Sequence, residues 1–419
     1  MTENGMVSRE CKPYPGGLSQ SGSVEGVHLM RWYFADSTLR WEESRKTRFI
    51  ELMDLFWVEF GKVSERIYRD FNAQDYSFLV TWFNRRMSRF NVELFWTISR
   101  CDDKKLFLII TAGKVGENRP IVETFVSRAP DFPDWIVQSY KPPLVRECGN
   151  IEDTRISGDW SDLKFSLQKC DDNVIEVSLY SNNFHGINLD EDVDNAIVLG
   201  EILLGEENLD KWIGAFCAIS LTQQSGANGD ELSKMESADK LHAEFESLKD
   251  SIRNTLPKVP YHELEFEQSL STLSLEHVND ESRTSCESFL PHVIESVMQR
   301  FIFHSCRFSN FDELFCYLKF QCAVTESSES FLPSIRKELD ARLVDAKAGR
   351  CFGYGAGREY FFLDLVLSDI ERAREVISSL AEEYNFSRSS WIKFFDRYYM
   401  CEWVGVYPDT PKPSPDEAW

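Results

Sequence analysis

This chain predicts an α+β fold of two or three modules, mostly antiparallel sheets covered by helices, and three observations predict it. Apolar residues step by three and four along some segments and alternate along others, so both the helical and the strand period are present. Strands come in hairpins joined by short polar turns and followed by single helices, an order that favours antiparallel pairing. At 419 residues, 42% of them hydrophobic, the chain is too long for one small core and apolar enough to fold along most of its length.

Residues 1–28 hold Pro13, Pro15, Gly16, Gly17 and a Ser/Gly run but no continuous apolar stretch, which predicts a disordered leader with no export signal. Phe49, Leu52, Met53, Phe56, Trp57, Phe60, Val63 and Ile67 share one helical face, predicting a helix over about 41–69. Tyr76, Leu79, Val80, Phe83 and Met87 give a second helix with Asp75 placed to cap it. A β-hairpin follows: Val92, Leu94, Trp96 and Ile98 alternate, Cys101-Asp102-Asp103-Lys104 turns, and 106–110 is apolar on both faces. Pro120 opens a short helix, and Trp135 to Tyr140 is a strand stopped by Pro142 and Pro143.

The same order then recurs. Leu163, Phe165 and Leu167 alternate, Cys170-Asp171-Asp172-Asn173 turns, Val174 to Leu179 is a strand, Asp190 to Leu204 a helix and Trp212 to Leu221 a strand. A β-β-α-β repeat and a coincidence of Asp-rich turn chemistry both account for this. Gln223 to Asp230 reads as a linker before a polar helix from Glu231 to Asn254, ended by Pro257 and Pro260. Beyond it, strands are expected at 263–270, 314–324, 360–367, 391–395 and 401–406, and helices at 288–301, 331–346 and 369–384. The expected organisation is a 1–28 leader, a 29–222 N-terminal α+β domain (candidate subunits 29–145 and 155–222), a 223–258 linker and polar helix, a 259–408 C-terminal α+β domain and a 409–419 tail.

The formal charge is −23, which repels phosphate backbones and anionic lipid surfaces, so nucleic-acid and membrane-surface binding are disfavoured. No run reaches the ~20 apolar residues of a membrane span. Eleven cysteines, none in C-x-x-C spacing, read as reduced buried thiols of a cytoplasmic protein. Gly353, Gly355 and Gly357, in the run 349–357, are the one candidate anion loop; the competing reading is a helix C-cap followed by a glycine-rich turn. Seven dispersed histidines form no metal pattern, and His304 near Cys306 lacks an orienting third group. No catalytic residue, metal or cofactor is assigned. The densest acidic stretch supplies Asp190, Glu191, Asp192, Asp194, Glu206 and Glu207 as candidate contacts for a basic protein partner, against the reading that helix-start acids merely complement the dipole.

The segments Leu106-Phe-Leu-Ile-Ile-Thr-Ala-Gly113, Pro120-Ile-Val-Glu-Thr-Phe-Val126, Ala129-Pro-Asp-Phe-Pro-Asp-Trp135 and Ala196-Ile-Val-Leu-Gly-Glu-Ile-Leu-Leu-Gly-Glu206 resemble a bacterial family of uncharacterised cytoplasmic proteins. Gly353-Tyr-Gly-Ala-Gly-Arg-Glu-Tyr-Phe-Phe-Leu-Asp364 looks like a second small domain of unknown function. The resemblance spans about half the chain. It implies a cytosolic α+β protein, brings no catalytic residues, and, because some such domains occur near toxin–immunity loci, adds an immunity-type role. The expected function is therefore non-enzymatic protein binding, immunity-type or regulatory, with an enzyme or small-ligand sensor built on 349–357 as the alternative.

Overall fold

The computed structural model describes residues 12–13, 31–34, 40–101, 104–113, 115–143, 155–170, 172–224, 236–265, 270–274, 283–298, 302–322 and 328–414. Most of the expected leader and linker, the start of the polar helix and the last five residues of the tail lie outside them. The chain divides into a larger unit, Gly22–Tyr140 with Pro257–Ile294 and Phe303–Trp419, and a smaller one, Met1–Ser21 with Lys141–Leu256 and Glu295–Ile302. No helix among the described residues is long and apolar enough to cross a membrane.

The first strand, β1 (Lys12–Pro13), belongs to the smaller unit. In the larger unit, the helix expected over 41–69 is two, α1 (Arg40–Gly61) and α2 (Ser64–Asn72). Gly61 is a poor helix former, and the Lys62 and Val63 amides turn back to Glu59 O and Phe60 O, three residues away. Ile67 nevertheless stays fully buried on the core face. α3 (Ser77–Met87) follows, with Asp75 accepting from the Ser77 amide and hydroxyl as a helix-start acid should. β2 (Phe95–Arg100) and β3 (Leu106–Thr111) form the hairpin, α4 (Arg119–Ser127) crosses over, and β4 (Trp135–Gln138) returns parallel to β3. Aromatic side chains dominate the core here. Phe60 alone meets Phe132 and Trp135 edge-on at 5.0 and 5.2 Å, contacts worth about 0.5–1.5 kcal/mol each beyond burial.

The smaller unit has the same β-β-α-β order: β5 (Lys164–Lys169) pairs antiparallel with β6 (Ile175–Ser181), α5 (Asp190–Leu204) and α6 (Glu206–Trp212) cross over, and β7 (Ile213–Ser220) lies parallel to β6. Glu236 and Ser237, expected in a helix, instead form β8 (Glu236–Ser237) against β5, so the sheet order is β1-β7-β6-β5-β8 and α7 begins later, at Leu241–Thr255. β7 is buried along its whole length, as a central strand covered on both faces must be.

The larger unit continues with β9 (Ser271–Ser274), β10 (Ser285–Ser288), α8 (Pro291–Met298), β11 (Leu314–Phe320), α9 (Ser328–Asp345), β12 (Gly349–Ala356), β13 (Phe361–Leu367), α10 (Ile370–Glu383), β14 (Trp391–Phe394) and β15 (Trp403–Gly405). Of the strand expected at 263–270, the described residues form none: Tyr261–Glu263 is a single 3-10 turn, 264, 265 and 270 are irregular, and 266–269 lie outside the described residues. The sheet order is β15-β14-β11-β13-β12-β10-β9, antiparallel throughout. Within it β11-α9-β12-β13-α10-β14 is a β-α-β-β-α-β, or ferredoxin-like, arrangement. Ile335, Leu339 and Leu343, spaced by four along α9, and Ile377 and Leu380 on α10 pack onto Leu318, Leu363, Leu365 and Ile392 of the sheet.

The glycine-rich run corrects the sequence reading, since residues 349–356 are a strand rather than a loop or turn. α9 does end in a C-cap, but the left-handed residue is Lys347 (φ +52°), with Ala348 N–H on Leu343 O and Lys347 N–H on Val344 O.

Candidate functional site

The most site-like feature of the smaller unit is the loop entering α5. Asp192 is fully buried, and its carboxylate reaches back to accept the His185 amide (2.8 Å) and the Gly186 amide (3.1 Å), with His185 Nδ1 at 3.1 Å. Asn188, held left-handed at φ +53°, accepts from the Ala218 amide through its side chain at 3.0 Å. Its own amide donates to Ala218 O, and Ser220 N–H donates to Gly186 O, each at 2.8 Å, so the loop is laid against β7. Leu189 folds over Gly186, where an added Cβ would come within 2.9 Å of it. What this bracing presents to solvent is Ile187 and Leu189, each 48% exposed, beside the exposed Asp190, Glu191 and Asp194.

The six acidic candidates therefore separate. Asp190, Glu191 and Asp194 lie on this lip. Asp192 is withdrawn into the hydrogen bonds described and presents no carboxylate to a partner. Glu206, also buried, accepts the Lys141 amide at 3.0 Å after the tight Gly205 turn. Glu207 is exposed, paired with Lys211 at 2.8 Å, and stands beyond the other end of the 15-residue α5, about 20 Å along its axis. One continuous acidic patch is thus corrected to a short acid-and-apolar lip. Ile187 and Leu189 went unread in the sequence; the signal was the pair of large aliphatics flanking Asn188 just before an acidic helix start.

In the larger unit, the glycines of β12 make room for a buried ion pair. Arg283 donates to Asp364 through both terminal nitrogens, at 2.8 and 2.6 Å, and Asp364 is fully buried. A Cβ on Gly353 would stand 2.6 Å from Asp364 Oδ2; one on Gly355 would stand 2.5 Å from Arg283 Nε and 2.4 Å from Ser285 O. The side-chain-free space expected for a phosphate is thus filled from within, and Gly357 only closes the β12–β13 turn through its amide on Tyr360 O. Cys286 Sγ lies 3.0 Å from the same guanidinium, yet burial and the Asp364 charge push its thiol up to about 12 against the pull of Arg283. Such a thiol is inert. Iodoacetamide at neutral pH is expected to leave Cys286 unmodified in the native chain while the exposed Cys101 reacts. Peptide mapping checks this, and equal labelling of the two contradicts it.

His304 gains the orienting group that the sequence did not name, Asp396 at 3.6 Å from Nδ1, but both are buried and Asp396 is already committed to the Ser305 and Tyr398 amides. Burial opposes the charge on Asp396, but His304 and those amides hold its carboxyl below the ordinary range. A shallow polar depression of about 440 Å³ is lined by Gln321, Cys322, Glu359, Asn385 and Ser387, where burial pushes the Cys322 thiol up to about 11. Among the described residues, no three His, Cys, Asp or Glu side chains gather to hold a metal ion. Cys217 is disulfide-bonded, so the reading of eleven reduced thiols fails at that position.

No family model, curated protein or solved structure matches the chain. The geometry alone therefore ranks its surfaces, and the lip at 187–194 ranks first, because Arg283, Asp364, His304 and Asp396 of the larger unit are buried, whereas the lip presents its side chains to solvent.

Proposed function

We propose that the protein acts by binding another protein, a basic one, through the lip formed by Ile187, Leu189, Asp190, Glu191 and Asp194. One observation carries this: two large aliphatic side chains, each 48% exposed, held on a braced loop beside three exposed carboxylates. An apolar centre with a charged rim is the anatomy of a protein interface. A loop already fixed by Asp192 and Asn188 loses little freedom on association, so its contacts convert more fully into affinity. The overall charge of −23 adds long-range attraction for a basic partner. The role that suits such a surface is inhibitory or regulatory, covering a basic site on the partner in the manner of an immunity protein. The cytoplasm is the compartment this reading assigns, supported by the eight free cysteines among the described residues, with the bonded Cys217 standing against it.

The test is affinity capture with the full chain at low and high salt, followed by titration of the captured partner. Leu189→Asp and the triple reversal Asp190→Lys, Glu191→Lys, Asp194→Lys are each expected to weaken binding at least about tenfold, the size of a buried anchor or a cluster of complementary charges. Glu207→Lys, at the far end of α5, leaves affinity unchanged. A partner that binds all of these variants like the parent refutes the lip, and a chain that captures nothing above background refutes protein binding.

A further inference from the structure

The sheet β2-β3-β4 ends on β2, and among the described residues nothing pairs with its outer edge. Natural edge strands are guarded by proline, lysine, bulges or short length; β2 is six residues, Phe-Trp-Thr-Ile-Ser-Arg, in unbroken register with β3. α3 runs alongside it. At one end Trp96 stacks on Phe83 at 4.5 Å and donates to Asn84 at 3.0 Å; at the other, Arg100 lies over Phe71, whose ring meets Tyr76 at 5.7 Å. Asn84 on α3 is thus tied directly to one end of the strand, and Tyr76, just before α3, to the other through Phe71. Phe95, on the strand itself, is 49% exposed, and Val80 and Tyr76 on the neighbouring helical segment are 41% and 46% exposed, so the open strand and the segment beside it present apolar side chains.

We propose that this edge pairs with the same edge of a second copy of the chain, fusing two three-stranded sheets into one six-stranded sheet across a two-fold axis. Backbone groups point outward from alternate residues, so two identical antiparallel strands can meet only in registers centred on a residue. Centred on Ile98, Trp96 faces the partner's Arg100, Thr97 faces the partner's Ser99 and Ile98 faces its own copy. Centred on Thr97, Trp96 faces the partner's Ile98 and Phe95 faces the partner's Ser99. The first register thus pairs aromatic with cation, hydroxyl with hydroxyl and Ile98 with itself, and the second pairs aromatic with β-branched and Thr97 with itself, combinations that stabilise neighbouring strands, with Phe95 against Ser99 beside them. Arg100 is the only charge in the strand, and neither register sets it against its copy. That self-complementarity selects a second copy over an unrelated strand. The interface lies in the larger unit and is independent of the lip.

Sedimentation of the full chain across a concentration series tests it. The parent is expected at twice the chain mass. Thr97→Lys with Ser99→Lys sets lysine against lysine in both registers and is expected to run as a monomer, as is Thr97→Glu with Ser99→Glu. Mixing the two variants is expected to restore a dimer containing one of each. A parent that stays at the mass of one chain overturns the proposal, as does a lysine variant that sediments like the parent. Failure of the mixture to pair, when both variants unfold thermally like the parent, overturns it as well.

Discussion

Replacing Asp364 with alanine is expected to cost the larger unit ~3–5 kcal/mol, because it strands the Arg283 guanidinium in the core. Burial works against the charge on Arg283, and the Asp364 carboxylate more than offsets it, holding the guanidinium above its ordinary range. Once the carboxylate is gone, the partners left to Arg283 among the described residues are Cys286 Sγ and the ring of Phe362, 5.4 Å away, and neither carries a compensating charge. The pair need not be a net stabiliser, since two buried ions lose their hydration. The double variant Arg283→Met, Asp364→Leu is therefore expected to fall within ~1 kcal/mol of the parent, far closer than the single change. Chemical unfolding of the full chain measures both. A single variant that loses less than ~1 kcal/mol would show that solvent reaches the pair, contrary to its burial.

This pair also shows where sequence reading stops. Arg283 and Asp364 are 81 positions apart, and the glycines that clear space for them on β12 carry no mark distinguishing a strand from a loop. Helices were legible from local spacing, as α5 and α10 demonstrate, and so was the β-β-α-β order, because each hairpin and crossover is contiguous in the chain. Gly61 was present but outweighed in the reading by the long apolar stripe on either side of it. The acidic stretch failed differently. Asp192 and Asp190 are both helix-start acids, and only the path of the loop before them decides that one turns back to two amides while the other faces water. Burial of a carboxylate is a tertiary outcome, which is why composition marked the region and not the residues.

Glu402 is the second position where one substitution is expected to have a large effect. Its buried carboxylate accepts the amides of three consecutive residues, Trp32, Tyr33 and Phe34, and so pins that segment to the C-terminal sheet of the larger unit. Phe34 then stacks on Phe394 and Tyr33 on Tyr399, both at 5.1 Å, while Trp32 reaches Thr124 at 2.7 Å and Tyr33 reaches Glu123 at 2.8 Å on α4. Arg31, over the Trp403 ring at 3.6 Å and bonded to Glu42, completes the strap. Glu402→Ala leaves three amides without an acceptor, at ~1–3 kcal/mol for each that stays buried, so a loss of about 3 kcal/mol or more is expected. The pH dependence has a definite sign. Burial raises the Glu402 carboxyl above its ordinary range, with the three amides and Arg31 opposing, so the native chain holds this proton more tightly than the unfolded one. Its contribution is fully present below the unfolded value and is lost as pH rises through the native one. Glu402→Gln is neutral throughout and lacks that slope. Unfolding free energies measured from mildly acidic to neutral pH are expected to fall more steeply with pH for the parent than for Glu402→Gln; parallel curves would place the carboxylate in contact with water and break the account of the strap.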